Sequence, residues 1–429
     1  MKIAISTAVY YPMTNGVAVF SHNLAKGLAA RGHEVLVLCP SRTGKNYTVE
    51  EDGVTVTYLR STKIHVYPDQ INPVPPKHKV FGKEMPHLLY KKSFRVSVLP
   101  ANQVKKALNT FQPDVIHCQV SDLIGLTVVS YARHNNIPLV TTEHNFPEVI
   151  TDPLKIPRIM KKPANAALAA YFVSRQRRAD YVTMPTQLAI NDLILSRKKE
   201  FNVPVEAVSN GVDLSTFCPG KADEALYSKY EIPTDRPIVL YVGRVDPEKK
   251  IGTVMEAFAK TISDAAAGSA LSRAFLLVIG DGVDRLRLEK YAKELGISDS
   301  CKFLGRVMPP DLFELYRVGT LFATASEIET QGIVLIEAAA TGLPLIAVDK
   351  GAVGEVCRTG ENGFLCEPGD VDGIADGMKQ ILSDPELCRR FSEKSIEIAS
   401  HHDMSNTLKR FEEIYQEVIK KKQTNSAKK

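Results

Sequence analysis

Short apolar runs with high β-propensity alternate with helix-like segments along most of this 429-residue chain. The first run lies at Lys2–Val9 and is followed by a turn, an amphipathic segment at Val17–Arg31 and a second run at Glu34–Cys39. Strands that alternate with helices of this length predict a parallel sheet with helices on both faces. This alternation of strands and helices therefore predicts the α/β fold class.

The alternation of strands and helices begins again after a turn-rich passage at Ser209–Gly220. A chain of 429 residues also exceeds the size at which a single hydrophobic core stops growing, so two domains are expected. We predict a Rossmann-like domain at 1–209, a linker at 210–220 and a second Rossmann-like domain at 221–400, each doubly wound. A helix is predicted at 406–421, with a frayed basic tail after it. Sheets of this kind bind ligands beyond the carboxyl ends of their strands, so the site is expected in those loops.

Individual strands are predicted in both halves of the chain. Those in the first half, after the two already given, are Asp114–His117, Leu139–Thr142, Asp180–Met184 and Val205–Val208. Those in the second half are Ile238–Val242, Phe275–Ile279, Cys301–Leu304, Thr320–Ala323 and Leu345–Val348.

Several classes of protein are disfavoured by composition. The seven cysteines are scattered without a CxxC pair, which indicates reduced thiols and gives no zinc site. The N-terminus lacks a signal peptide's long apolar core, and no apolar run approaches the roughly 20 residues that span a bilayer. A cytoplasmic protein is favoured. The run Asp370–Asp372 precedes a helical segment and is interpreted as helix capping, so we expect no cofactor and no essential metal.

Basic residues are concentrated in the first half of the chain. Residues 1–210 carry a net charge of +11 and the remainder −6, and residues 60–106 contain ten basic side chains against two acidic ones. This imbalance indicates an anionic partner such as a membrane surface, a nucleic acid or a phosphorylated substrate, although a solvated lysine-rich surface explains it equally well. Motifs for RNA or DNA binding do not accompany the charge, so no nucleic acid is expected.

Two candidate sites lie at strand ends in the first half. The loop Tyr11–Gly16 precedes a helix whose amides attract anions, and Gly16 permits close approach of a phosphate. An ordinary tight turn remains the alternative. The loop is not a G-x-G-x-x-G fingerprint, which argues against a dinucleotide. His144 follows the strand at Leu139–Thr142 and can bond a sugar hydroxyl, unless it is purely structural.

Charged residues also follow strands in the second half. Arg244 and Lys249 lie in Gly243–Lys250 (GRVDPEKK) and suit phosphate oxygens, with a solvated charged loop as the alternative.

The segment Ser326–Gly342 (SEIETQGIVLIEAAATG) carries Glu329, Gly332 and Glu337 around a helix start. A diphosphate on the helix amides would leave Glu329 near a sugar and Glu337 near a ribose diol. The alternative is that both glutamates only favour the helix N-terminal end.

Together these segments resemble the retaining glycosyltransferases of the GT-B fold, the glycosyltransferase group 1 type. Glu329 and Glu337 reproduce that family's E-x7-E signature. The sequence SEIETQG is similar to the corresponding sequence in diacylglycerol α-glucosyltransferases. The resemblance implies two Rossmann-like domains facing a cleft, an α-linked donor and product, and a C-terminal helix that packs on the first domain. Asn15 stands where the family's phosphate loop usually has a second glycine.

The resemblance also implies roles for individual residues. His144 and Glu329 are the expected catalytic residues, and replacing either with alanine should mainly reduce turnover. The expected donor-binding residues are Gly16, Arg244, Lys249, Gly305, Arg306, Val307, Thr330, Gln331, Gly332, Ile333 and Glu337.

The expected reaction transfers glucose from UDP-glucose to a membrane lipid such as 1,2-diacylglycerol, at the inner face of the cell membrane. The expected acceptor or membrane contacts are Lys77, Lys79, Lys83, Lys91, Lys92 and Arg95, within the basic and apolar stretch Ile64–Leu99. Alternatives are phosphatidylinositol, a glycan or a soluble polyol as acceptor with GDP-mannose as donor, a sugar-nucleotide 2-epimerase, and a non-catalytic nucleotide-sugar-binding homologue.

Overall fold

The chain forms two compact units in a computed structural model, which describes residues 1–13, 15–64, 79–80, 83–84, 94–119, 122–144, 146–147, 151, 157–193 and 202–427. Unit 1 comprises Met1–Ser209 together with Thr407–Lys429, and unit 2 comprises Asn210–Asn406. Each unit contains a mainly parallel sheet with helices. The predicted α/β class with two doubly wound Rossmann-like domains is confirmed.

The strands described in unit 1 are β1 Lys2–Ser6, β2 Glu34–Pro40, β3 Tyr47–Glu51, β4 Val54–Leu59, β5 Ser61–Ile64, β6 Lys79–Val80, β7 Lys83–Glu84, β8 Phe94–Ser97, β9 Val115–Cys118, β10 Leu139–Thr142, β11 Tyr181–Met184 and β12 Val205–Ala207. Eight of these described strands form one sheet in the order β12-β11-β10-β9-β1-β2-β4-β3. Only β3 runs antiparallel to its neighbour in that sheet. Two small antiparallel pairs, β5 with β8 and β6 with β7, lie outside it.

The helices described in the first part of unit 1 are α1 Gly16–Ala30, α2 Ala101–Phe111, α3 Leu123–His134, α4 Arg158–Gln176 and α5 Gln187–Leu193. The apolar side chains Phe20, Leu24 and Leu28 recur every four residues along α1 and are buried, as an amphipathic helix requires. Asn15 caps α1, because its Oδ1 accepts a hydrogen bond from the amide of Ala18 at 2.9 Å.

The strands described in unit 2 are β13 Ile238–Val242, β14 Phe275–Ile279, β15 Cys301–Gly305, β16 Leu321–Ala323, β17 Leu345–Val348 and β18 Gly363–Cys366. They form one parallel sheet in the order β15-β14-β13-β16-β17-β18. Its helices are α6 Glu224–Lys229, α7 Ile251–Ser263, α8 Arg285–Glu294, α9 Asp311–Tyr316, α10 Ile333–Ala340, α11 Val371–Ser383 and α12 Pro385–Ser400. The central strands are fully buried, which explains their nearly uninterrupted apolar sequences.

A last helix, α13 Met404–Ala427, contributes most of its length to unit 1. Its apolar residues Phe411, Tyr415 and Val418 are buried. The basic tail that was predicted to fray after residue 421 is helical as far as Ala427. An ion pair between Lys422 and Asp180, at 2.9 Å, holds this part of the helix beside the start of β11, within unit 1.

Gly280 allows two strand-end loops of unit 2 to touch. Its φ is +138°, and a Cβ placed there would lie 1.8 Å from the carbonyl oxygen of Gly243. We expect Gly280→Ala to destabilise the protein by about 2–4 kcal/mol, because both the backbone conformation and the contact become unfavourable. Thermal unfolding measures the effect.

Gly296→Ala is the matched control, since Gly296 has a φ of +72° but nothing within 4 Å of the position that a Cβ would take. We expect a loss of only about 1 kcal/mol there. Equal destabilisation by the two changes would show that the contact with Gly243 is unimportant.

Candidate active site

The loop after β13 presents Arg244 in a network of carboxylates. The Arg244 guanidinium pairs with Asp246 and, through Nη2, with Glu248 Oε1 at 2.6 Å. Asp246 Oδ1 also accepts a hydrogen bond from the amide of Val283 at 3.1 Å, which joins this loop to the loop after β14. Burial raises the pKa of the Asp246 carboxyl, while the charge of Arg244 opposes that rise. The guanidinium is therefore held in a fixed direction.

Lys249 lies in direct contact with Glu329. Lys249 Nζ is 2.5 Å from Glu329 Oε1 and 3.4 Å from Ser326 Oγ, and the two charged side chains are 15% and 17% exposed. Because the pair is largely withdrawn from water, its attraction is stronger than that of an exposed ion pair. The structure thus brings the predicted phosphate-binding lysine to the predicted sugar-binding glutamate.

Gly332 directly precedes helix α10 and adopts the left-handed conformation, with φ +75° and ψ +57°. The positive φ favours glycine at this position, and a Cβ, 2.7 Å from Leu335 Cδ1, would also force that side chain to shift. The neighbouring Gln331 is buried, and its Oε1 accepts a hydrogen bond from the amide of Asn210 at 3.0 Å. Thr330 precedes this turn, and Ile333 packs partly buried against the core of unit 2.

Glu337 lies in the second turn of α10, half-buried. Its Oε2 accepts a hydrogen bond from the hydroxyl of Tyr316 at 2.5 Å. Burial raises the pKa of the Glu337 carboxyl to about 7, and the bond from Tyr316 works in the opposite direction. Glu337 therefore titrates close to neutral pH. Tyr316, which is fully buried at the end of α9, was not predicted as a site residue.

Gly305 is the last residue of β15, and Arg306 and Val307 follow it at the same edge of the sheet. The carbonyl oxygen of Gly305 accepts a hydrogen bond from the amide of Gly280 at 2.9 Å, and Val307 is buried. The predicted donor-binding residues of unit 2 therefore all lie at or beside the carboxyl ends of its strands, the edge where such sheets bind ligands.

The predicted residues of unit 1 lie at strand ends as well. Gly16 is the first residue of α1, and its neighbour Asn15 supplies the helix cap. His144 follows β10, is 4% exposed, and its Nε2 lies 2.7 Å from Gln119 Oε1. Burial lowers the pKa of His144 to about 3, so its imidazole is neutral at physiological pH. Gln119, which directly contacts it, was not predicted.

The predicted membrane contacts are described only in part. Lys77, Lys91 and Lys92, and the side chains of Lys79 and Lys83, lie outside the described residues. Arg95 is described, and its Nε donates hydrogen bonds to Ser41 O and Ser61 Oγ, both at 2.9 Å. Its guanidinium therefore links β8 to the segment that follows β2.

The capping role predicted for Asp370 is confirmed. Asp370 Oδ1 accepts a hydrogen bond from the amide of Gly373 at 2.8 Å, at the start of α11, while Asp372 pairs with Lys260. Within the described part of the chain, His, Cys, Asp and Glu side chains nowhere form a group of three that could hold a metal ion. Of the helices described here, none has the length and apolarity needed to cross a bilayer.

Two protein-family models match the chain. The model described as glycosyl transferases group 1 matches residues 223–398, and that of glycosyltransferase family 4 matches residues 14–216. Among solved structures, a sucrose-phosphate synthase from Thermosynechococcus elongatus superimposes with a TM-score of 0.74 at 20% identity, covering 97% of this chain and 99% of that one. The fold is therefore GT-B.

Curated relatives match along nearly the whole chain. N-acetyl-alpha-D-glucosaminyl L-malate synthase of Bacillus anthracis is 26% identical over 98% of both chains. Alpha-monoglucosyldiacylglycerol synthase of Acholeplasma laidlawii is 25% identical over 93% of this chain and 92% of its own. Taken with the two family models, which match the two halves of the chain, these matches define the class: the chain is a glycosyltransferase, specifically a hexosyltransferase.

Proposed function

We propose that this chain transfers glucose from UDP-glucose to a hydroxyl of 1,2-diacylglycerol at a membrane surface, forming an α-glycoside with retention of configuration. The observation that carries the proposal is the contact of Lys249 with Glu329 beside Arg244, at the ligand-binding edge of unit 2. Two cations suit a diphosphate, and an adjacent carboxylate suits sugar hydroxyls.

We expect Lys249 and Arg244 to change hydrogen-bond partners when the donor binds. Lys249 and Arg244 are both paired with carboxylates, so an incoming diphosphate competes with Glu329 and Glu248 for the same donors. Once Lys249 turns to phosphate, Glu329 is left to accept hydrogen bonds from the sugar. Both cations then stabilise the diphosphate as its bond to the anomeric carbon breaks. The acceptor oxygen bonds to that carbon on the same face, and the leaving phosphate oxygen takes up the proton of the acceptor hydroxyl. His144 is the catalytic residue that we propose in unit 1.

The nucleoside side of the donor is assigned to Glu337 and to Gly305–Val307. An ionised carboxylate can accept hydrogen bonds from both hydroxyls of a ribose, and Glu337 becomes ionised near neutral pH. A hydrogen bond from Tyr316 occupies one of its oxygens and fixes the direction of the other. We propose UDP as the nucleotide and GDP as the alternative, with neither a cofactor nor a metal.

The lipid acceptor is supported by charge and by one relative. Ten basic side chains against two acidic ones at residues 60–106 favour attraction to anionic lipid, at about 1 kcal/mol for each basic residue near the surface. The relative from A. laidlawii is, by its name, a monoglucosyldiacylglycerol synthase. A peripheral position on the inner face of the cell membrane follows from this proposal.

A second acceptor is favoured by the relative from B. anthracis, 98% of whose length matches this chain. That protein is, by its name, a glucosaminyl L-malate synthase, so a small hydroxy acid is the second candidate. The transfer chemistry in unit 2 would be the same, while the donor sugar and the acceptor would differ.

A screen of donors against acceptors separates these candidates. Purified protein is incubated with UDP-glucose, UDP-N-acetylglucosamine or GDP-mannose, together with dioleoylglycerol in anionic vesicles, phosphatidylinositol vesicles or L-malate, and products are resolved by mass spectrometry. We expect monoglucosyldioleoylglycerol from UDP-glucose. A product formed only with L-malate would overturn the lipid acceptor, and absence of both transfer and donor hydrolysis would overturn the enzymatic proposal. Failure to sediment with anionic vesicles at low salt would contradict the peripheral location.

A further inference from the structure

A continuous chain of buried polar side chains runs from His144 to helix α13 within unit 1. His144 Nε2 lies 2.7 Å from Gln119 Oε1, and the Gln119 amide nitrogen lies 3.2 and 3.3 Å from the two ring nitrogens of His117. His117 Nδ1 is in turn 2.7 Å from the hydroxyl of Tyr415. Gln119, His117 and Tyr415 are fully buried. Buried polar chains of this kind orient their members strongly, since an unpaired group would be costly.

The sheet explains why these residues meet. Strands β9 and β10 are parallel neighbours, with His117 in register with Val140, so Gln119 and His144 both emerge just after the carboxyl ends of adjacent strands. The apolar surroundings come from two helices. The ring of Phe20 on α1 lies 5.2 Å from that of His144, and the ring of Phe411 on α13 lies 5.0 Å from that of His117.

The contacts define one consistent arrangement of protons. Tyr415 keeps its proton, because burial raises its pKa well above the usual value, and it donates to His117 Nδ1. Burial lowers the pKa of His117 to about 3, so its ring is neutral and carries its proton on Nε2, 2.6 Å from Thr142 Oγ1.

The Gln119 amide nitrogen is nearly equidistant from the two ring nitrogens of His117, whose in-plane positions are already used by Tyr415 and Thr142, so it lies against the face of that ring. The Gln119 oxygen is then the atom that accepts from His144 Nε2. The neutral His144 must then carry its proton on Nε2 and keep a lone pair on Nδ1.

We propose that Gln119 is the positioning residue of His144, and that the His117 ring, held by Tyr415 of the C-terminal helix, fixes the direction of the Gln119 amide and hence which nitrogen of His144 is free. The proposal rests on the proposed function in one respect only, namely that His144 acts in transfer. Orientation of a neutral imidazole by a second polar group is a general way to fix its tautomer.

The test combines Gln119→Leu and Tyr415→Phe with the control Tyr131→Phe. Tyr131 also lies in unit 1 and donates its hydroxyl proton to Asn109 at 2.6 Å, away from the chain described above. Protein labelled with ¹⁵N-histidine is studied by two-bond ¹H–¹⁵N correlation spectra at neutral pH, and His144→Ala identifies the signals of His144. Turnover of UDP-glucose with dioleoylglycerol vesicles and binding of UDP are measured in parallel.

We expect a single tautomer of His144, protonated on Nε2, in the parent protein and in Tyr131→Phe. Gln119→Leu and Tyr415→Phe should give a mixture of tautomers, with kcat lowered about 10-fold or more and about 3- to 10-fold respectively. UDP affinity should stay within about twofold of the parent value in every variant, because the residues proposed to bind the nucleoside, Glu337 and Gly305–Val307, lie in unit 2.

An unchanged His144 tautomer in Tyr415→Phe overturns the role of α13, and an unchanged tautomer in Gln119→Leu overturns the role of Gln119. If Gln119→Leu does not fold, Tyr415→Phe decides, since it removes a single oxygen atom. If the parent protein turns over no sugar nucleotide, the proposed function fails while the spectra still test the positioning role.

Discussion

Replacing Lys249 with methionine should lower kcat/KM for UDP-glucose by about 10²–10³-fold, the usual loss when one electrostatic stabiliser of a transition state is removed. Methionine keeps most of the side-chain volume but removes the charge that the leaving diphosphate needs. It also leaves Glu329 half-buried without its 2.5 Å partner, so some loss of stability is expected. Initial rates, UDP titration calorimetry and thermal unfolding measure these three effects.

Two further variants separate catalysis from folding. In Lys249→Met/Glu329→Gln the unpaired carboxylate is neutralised, so stability should recover while activity stays low. The matched control is Lys260→Met, because Lys260 pairs with Asp372 in an exposed position on unit 2. We expect it to stay within about twofold of the parent kcat/KM. Activity of Lys249→Met within threefold of the parent would contradict the phosphate-binding role.

Replacing Glu337 with glutamine should weaken UDP binding by about 10- to 100-fold at pH 8. At that pH the parent carboxylate is ionised, and the substitution removes its charged hydrogen bonds to ribose. The parent protein should bind UDP more weakly at pH 6 than at pH 8, because the pKa of Glu337 lies at about 7 and its protonated form offers fewer acceptors. The affinity of Glu337→Gln should depend on pH much less than that of the parent protein over this range, with only the titration of the UDP terminal phosphate remaining. Isothermal titration at several pH values measures both trends.

The same substitution should change stability in the opposite direction. Because the folded pKa of Glu337 lies above its unfolded value of 4.5, the unfolded state binds fewer protons between pH 4.5 and 7, and this carboxyl makes the fold less stable as pH rises. Glu337→Gln should therefore be more stable than the parent protein at pH 8, by about 1–3 kcal/mol, and equally stable near pH 4. Denaturant unfolding at both pH values measures the difference.

Glu256→Gln is the control for both effects, since Glu256 accepts a 2.7 Å hydrogen bond from Tyr291 elsewhere in unit 2. It should not change UDP affinity at either pH. Weakened UDP binding in this control, or a strong pH dependence that persists in Glu337→Gln, would exclude Glu337 as the ribose-binding group.

The fold class and most of the strands could be predicted because each depends on local pattern. Buried parallel strands give short apolar runs, and the predicted run 238–242 coincides with β13. Strand order is not a local property. The antiparallel strand β3 and the short edge strand β18, which contains a glycine, were not predicted, since each forms by pairing with a neighbour.

The candidate site was predicted as separate motifs but not as a set of contacts. Lys249 and Glu329 are 80 positions apart and meet because β13 and β16 are adjacent in the sheet, which places their following loops side by side. The positions of Asp246 and Tyr316 depend on the same tertiary arrangement. Tyr316 carries no sequence signal as a site residue, because a tyrosine at the end of a short helix usually packs in the core, as its ring does here.

Unit 1 is assembled from two stretches of chain separated by the whole of unit 2. During synthesis on the ribosome its last helix therefore emerges only after Asn210–Asn406 has been translated, a delay of about 10–40 s at ordinary elongation rates. Until then the nascent unit 1 lacks Phe411 and Tyr415, and the surface that they cover is open to solvent or to a chaperone. Unit 2, by contrast, is continuous and can fold as soon as it has left the exit tunnel. The unit that begins first is thus the one that is completed last.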